Sequence, residues 1–316
     1  LITAMKHSTP TSSAVYIGVD VGLKTLQLHG LARRKQLPNT PEGHATLIAA
    51  LPAGSHVIME ASGGYEYALW LALLRADRRV SRGNARRVRH QAGANGQWAK
   101  NDVTDAALLS EFGALHRPRP DVLPSPVCLE LQDLVCRRDQ LVRQRAQCAV
   151  QLQQLHRAAL IEQANALVAF LDGQITTLED NIQQCLDSRE MAAKSQRLLQ
   201  VRGVGPRLCS TLLATVPELG TLSDNQIAAL VGVAPYDDDS GQYRGARHIK
   251  GGRIKPRCVL YMAAMSASKH NPILRAFHQR LINKGKPFKL AITAVMRKLI
   301  ILLNRLIREP DFILES

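Results

Sequence analysis

No stretch of this 316-residue chain is long and apolar enough for a bilayer span; runs such as LVGVAP and LIILL fall far short of the roughly 20 residues required. A charged segment leading into an apolar one, as in a secretory signal, is also missing from the start, so a cytoplasmic protein without a membrane partner is expected. The six cysteines (Cys128, Cys136, Cys148, Cys185, Cys209 and Cys258) show no CxxC or Cys/His spacing, which argues against a zinc site and a disulfide framework. Acid is missing from one long region: between Gly241 and Arg308 there are 16 Lys/Arg and no Asp or Glu. What is present is ordinary for a globular protein, 46% apolar and 21% charged residues, and the length suits about two domains. Residues 1–14, rich in Ser and Thr, read as a disordered lead-in.

The net charge of +15 is unevenly placed. Residues 1–125 carry +6, residues 126–240 carry −4 and residues 241–316 carry +13. A region this lopsided is built to meet a polyanion, since a merely solvated surface mixes both signs. A second basic cluster runs from Arg75 to Arg89 with only Asp77 against it. Candidate nucleic-acid contacts are therefore Arg82, Arg86, Arg87, Arg89 and Lys100 in the first half, with Arg202, Arg207, Arg244, Arg247, Lys250, Arg253 and Lys255 in the second.

VYIGVDVG (15–22) and LQLHGLAR (26–33) read as a β-hairpin, SHVIMEAS (55–62) as a third strand and 79–81 as a short fourth. Helical patterns fall at 41–51, 66–74, 85–91 and 105–115, the last with Thr104 as its cap. The segment HRPRPDVLPSP (116–126) holds four prolines and marks a domain boundary. Beyond it, apolar residues recur at helical spacing from Leu131 to Leu155 and from Leu167 to Cys185, two amphipathic helices that suit an antiparallel or intermolecular coiled coil. Arg138 and Arg145 occupy positions where apolar seam residues are expected. Further on, RGVGPR places Gly203 and Gly205 between two apolar helices, a spacing that serves a tight helix connection or a phosphate cradle. Helices at 224–231, 255–269 and 289–308 enclose the loop APYDDDSGQYRGARHIKGGR.

Asp20 lies in a strand between Gly18 and Gly22, glycines that admit a phosphate or another backbone, and Glu60 ends a second strand. Asp102 and Asp105 lie three apart at a helix start and point the same way. Each acid alone is an ordinary turn or helix-start residue. Together, in a basic chain, four carboxylates from three elements suit two Mg²⁺ ions about 4 Å apart, the arrangement that clamps both oxygens in phosphoryl transfer.

The order GVDVGLKT, VIMEASGGYEYAL, AKNDVTDAALLSEF resembles the Asp-Glu-Asp-Asp recombinase domain, RuvC-like and of ribonuclease H type, of the insertion-sequence one-ten family and its eleven-eleven subgroup. The segment from RGVGPR through GVAPYDDDSGQYRGARHIKGGR is similar to that family's second, transposase domain. The implied fold class is α/β plus α. It comprises a RuvC-like domain (15–117), a Pro-rich linker (118–127), a coiled-coil arm (128–193), a mainly helical domain with a helix-hairpin-helix-like element (194–310) and a tail (311–316). The resemblance implies a transposase that cuts and rejoins DNA through a covalent serine intermediate. Asp20, Glu60, Asp102 and Asp105 match the Mg²⁺-binding tetrad, and Ser240 matches the nucleophile. It further implies a structured guide RNA, donor and target duplex DNA, a nucleoid-associated location, and a homo-oligomer, a dimer with a tetramer in the synaptic complex. Asp237, Asp238 and Asp239 before Ser240 either repel phosphate or localise a metal. Competing readings are a junction nuclease that uses metal-activated water, an actin-like or sugar-kinase-like ATPase, and a non-catalytic nucleic-acid binder. The ATPase reading lacks a second phosphate loop and an adenosine motif.

Overall fold

The computed structural model describes residues 15–32, 35–61, 63–94, 96, 101–241 and 243–312. The expected lead-in 1–14, Lys100 and residues 313–316 of the tail lie outside the described residues. The chain divides into two compact units, Leu1–Leu123 and Pro124–Ser316.

In the first unit, β1 (Tyr16–Val21) and β2 (Thr25–His29) form the expected hairpin, and a three-residue strand β3 (Gln36–Pro38) extends it. Three residues carry no periodicity, so β3 is not legible in the sequence; it exists because backbone pairing with β2 continues past the turn. After α1 (Pro41–Ala50), β4 (His56–Glu60) pairs parallel to β1; after α2 (Tyr67–Arg75), β5 (Arg79–Gly83) pairs parallel to β4. The sheet order is β3-β2-β1-β4-β5, a mixed sheet with its most apolar strands in the middle. β5 is richer in arginine than an inner strand allows. At the sheet edge Val80, Ser81 and Gly83 are buried while Arg79 and Arg82 are exposed.

α3 (Ala85–Ala94) and α4 (Asp102–His116) follow. Val88 and Ala92 of α3 pack with Leu108, Leu109 and Phe112 of α4 and Ile58 of β4. The Pro-rich segment is tied down at its start: the Asp121 amide donates to Val80 O at 2.7 Å and Ser81 Oγ to Arg119 O at 2.8 Å. Asp121 also accepts from Trp70 Nε1 at 2.8 Å, with the Arg82 guanidinium stacked 3.8 Å from the Trp70 ring.

In the second unit, α5 (Pro126–Leu152) and α6 (Ala158–Asp187) fold back on each other as a helical hairpin. The two arginines at seam positions are accommodated differently. Arg138 is 2% exposed and bonds Asp139 at 2.8 Å, which also holds Lys255 at 2.9 Å, whereas Arg145 reaches Asp172 of α6 at 2.9 Å. A packed body follows: α7 (Ala192–Leu199), α8 (Pro206–Thr215), α9 (Asp224–Val231), α10 (Ile254–His270), α11 (Pro272–Asn283) and α12 (Phe288–Arg308). Its core gathers Cys209, Leu212, Leu260, Ala264, Leu299 and Leu303. Helix α11 starts at Pro272, with Asn271 as its cap. Among the described residues, no helix is long and apolar enough to cross a membrane.

Candidate active site

The position of Asp20 follows from its neighbour Gly18. Alternate residues of a strand share a face, so Gly18 and Asp20 both point to the side of β1 where α4 packs. A β-carbon on Gly18 would stand 1.9 Å from Ala106 O, so the glycine's space is filled by the α4 backbone rather than kept for a phosphate. Helix α4 therefore crosses β1 directly, and its first turn, with Asp102 and Asp105, is brought toward Asp20. Glu60 follows Met59, which is paired with Val19, so the parallel register sets it level with Asp20 on the adjoining strand.

The start of α4 is fixed by a capping box. Asn101 Oδ1 accepts from Thr104 N at 2.8 Å, and Thr104 Oγ1 accepts from Asn101 N at 3.2 Å. The cap is thus Asn101, three residues before the expected Thr104, which puts both aspartates inside the first turn, where the helix dipole favours negative charge.

The Asp20 carboxyl is pushed up from 3.8 to about 6 by burial first, then by the charges of Asp105, Asp102 and Glu60; a hydrogen bond from the Val21 backbone opposes the rise. Asp105, Asp102 and Glu60 therefore each act electrostatically on Asp20. Hard carboxylate oxygens under mutual repulsion suit a divalent cation of the magnesium type. Yet among the described residues no three His, Cys, Asp or Glu side chains are gathered around one point as a metal requires. Asp105 Oδ2 is instead engaged by Arg89 Nη2 of α3 at 3.1 Å.

Ser240 lies in the second unit on a nested pair of two-residue ladders. The outer one joins β6 (Pro235–Tyr236) to β9 (His248–Ile249), and the inner joins β7 (Asp239–Ser240) to β8 (Tyr243–Arg244). The sequence reading made this a loop; two-residue strands are too short for alternation to show. Ser240 pairs with Tyr243 near the tip and is exposed. Asp239 is bonded to Arg244 at 2.8 Å and Asp237 is paired with Arg247, so two of the three acids before the serine neutralise nearby arginines.

The remaining candidate contacts separate into two groups. Arg82, Arg89, Arg253 and Lys255 are committed inside the chain. Arg253 makes a fork of bonds to Glu218 at 2.6 and 2.7 Å and also donates to Thr215 O. Arg86, Arg87, Arg202, Arg207 and Lys250 are exposed. Gly203, at φ +100°, has no room for a side chain, because a β-carbon would come within 2.5 Å of Ala267 in α10; the tight helix connection accounts for it.

Two family models match the chain. One, a transposase model of the DEDD IS110 type, covers residues 17–161, and the other, described as "Transposase IS116/IS110/IS902 family", covers residues 195–279. The first spans the acid cluster and the helical hairpin's start, the second the body that carries Ser240. The class so defined is a DNA-acting enzyme of the transposase and recombinase type. With both models matched in order, the chain belongs to the IS110 family of transposases. Among curated proteins it is similar to the pilin gene-inverting proteins of Moraxella lacunata and Moraxella bovis. Each is 25% identical over an alignment that covers 94% of this chain and 97% of the relative.

Proposed function

We propose that this protein is a site-specific recombinase of a mobile element, guided by a structured RNA, that cuts and rejoins DNA through an ester to Ser240. The observation that carries the reading is the Asp20 carboxyl, pushed up by burial first and then by three carboxylates delivered from α4 and β4. Asp20, Glu60, Asp102 and Asp105 would hold Mg²⁺, which when bound neutralises charge on the phosphate and on the departing oxygen. The residues of the chain supply the rest. Ser240, presented at the tip of an exposed hairpin, gives its Oγ to phosphorus as the bond to a sugar oxygen breaks; the hydroxyl proton is lost from Oγ, and one is taken up by the leaving oxygen. A sugar hydroxyl from the exchanged strand reverses the step and frees the serine. Arg202, Arg207 and Lys250, exposed and basic, suit the phosphate backbone.

Ester chemistry is favoured over hydrolysis by the Moraxella relatives, which are named as gene-inverting proteins. Inverting a gene requires every cut end to be rejoined, and an ester conserves the bond energy that metal-activated water would release. RNA guidance rests on the family resemblance together with the basic C-terminal region, and base pairing would then supply the target specificity.

The test is a stalled reaction with Mg²⁺, DNA and the RNA that co-purifies. DNA covalently attached to the tryptic peptide that holds Ser240 is expected, with both adduct and recombination lost in Ser240→Ala while binding is kept. Recombination by the alanine variant, or an adduct at Tyr236 or Tyr243, refutes the serine assignment. Purified protein free of RNA and active without it refutes guidance.

A further inference from the structure

We propose that Arg89 is the resident counter-cation of the acid cluster, competing with divalent metal for Asp105 and turning to a nucleic-acid phosphate once metal displaces it. The inference rests on the tetrad reading above. Arg89 Nη2 lies 3.1 Å from Asp105 Oδ2; its side chain is 40% exposed and that of Asp105 19%, so the pair spans the edge of the site. A guanidinium on one oxygen and a metal ion on the same carboxylate repel each other, and the cluster cannot hold both at full strength. The pair gives a physical reason why three acids act on Asp20 while no three ligating side chains gather around one point among the described residues. The rest of α3 fits the second half of the proposal. Val88 and Ala92 anchor the helix to α4, Arg86, three residues before Arg89 and on the same side of the helix, is exposed, and ARRVRHQAGA contains no acid. Released from Asp105, Arg89 joins a helix face already suited to phosphate, so metal and polyanion favour each other's binding.

The measurement is Mn²⁺ binding to the full chain without nucleic acid, followed by electron paramagnetic resonance. Arg89→Ala and Arg89→Gln are expected to bind Mn²⁺ about three- to tenfold more tightly than the parent, as loss of a competing ion pair allows. Arg89→Lys, which keeps a charge, should lie between. Arg86→Ala, the same charge change on the same helix, should shift affinity less than about twofold, because a charge without a partner in the cluster acts through screened solvent. A second readout is short-duplex affinity. Arg89→Ala should match the parent in chelator and fall several-fold below it in Mn²⁺, a ratio in which general effects of the ion cancel. Equal or weaker Mn²⁺ binding by both Arg89→Ala and Arg89→Gln overturns the competition, as does an Arg86→Ala shift of the same size. If Mn²⁺ binds but is indifferent to Asp20→Asn and Glu60→Gln, the tetrad reading itself fails and the competition with it.

Discussion

At the scale of single residues, Asp20 is held in the protein at a cost. Its carboxyl titrates near 6 in the fold and near 3.8 when free, so between those values the folded protein binds the extra proton and stability falls as pH rises from about 4 to about 6. Asp20→Asn is therefore expected to stabilise the metal-free protein at neutral pH by about 1–3 kcal/mol while abolishing strand cleavage. Melting in chelator checks the first half, and an unchanged or lower midpoint counts against the repulsion described here. His56 behaves in the opposite sense. Burial, with Arg79 as the second cause and Asp121 opposing, pushes the imidazole down to about 4 from 6.5. The unfolded chain then takes up the proton first, and the contribution of His56 is full above about 6.5 and is lost as pH falls toward 4. Denaturant unfolding of the parent and His56→Gln should give a stability gap that narrows by about 2–3 kcal/mol between neutral pH and about pH 4. The difference between the two proteins isolates His56 from the opposing slope of Asp20.

At the scale of elements, α4 decides the geometry of the acid cluster. Gly18→Ala drives a methyl into the Ala106 carbonyl and should cost about 3 kcal/mol, separating Asp20 from the first turn of α4. Asn101→Ala removes the cap and should cost about 1 kcal/mol, with looser metal binding because the turn that carries Asp102 and Asp105 frays. Chemical denaturation measures both. If Gly18→Ala proved as stable as the parent, the close crossing of β1 and α4 would be wrong. The helical hairpin shows how context alters the meaning of a residue type: Arg138 and Arg145 both interrupt the apolar seam, yet one is enclosed with Asp139 and the other lies across the outside on Asp172. Sequence spacing marks the interruption and carries no sign of which partner absorbs it.

For the whole molecule, net charge predicts binding to a polyanion, but internal ion pairs decide which charges are free for it. The slope of log affinity against log salt should fall by about 0.9 for each of Arg202→Ala, Arg207→Ala and Lys250→Ala that loses a phosphate contact. Arg82→Ala and Arg253→Ala should leave the slope near the parent's and instead lower stability, because these side chains serve Trp70, Asp121 and Glu218. Titrations of duplex DNA over a salt series distinguish the two groups; an Arg253→Ala slope reduced as much as that of Arg207→Ala would return Arg253 to the interface.

The sequence by itself determined the strands of the first unit that are long enough to alternate and the long helices of the second, and it marked the four acids as a set; Ser240 stood out only through the family resemblance. The first are local signals, since periodicity repeats within one element, whereas each acid alone is an ordinary turn or helix-start residue. Only the tertiary structure decided that Gly18 is spent on α4, that Asn101 begins that helix, that Ser240 stands on a nested hairpin, and that Arg89 lies against Asp105. The Asn101 cap is a choice between two neighbouring polar residues that only the hydrogen bonds settle; the others depend on two segments meeting, or on backbone pairs too short to leave a pattern. Contact between residues distant in the chain depends on packing, which a count of residue types cannot carry.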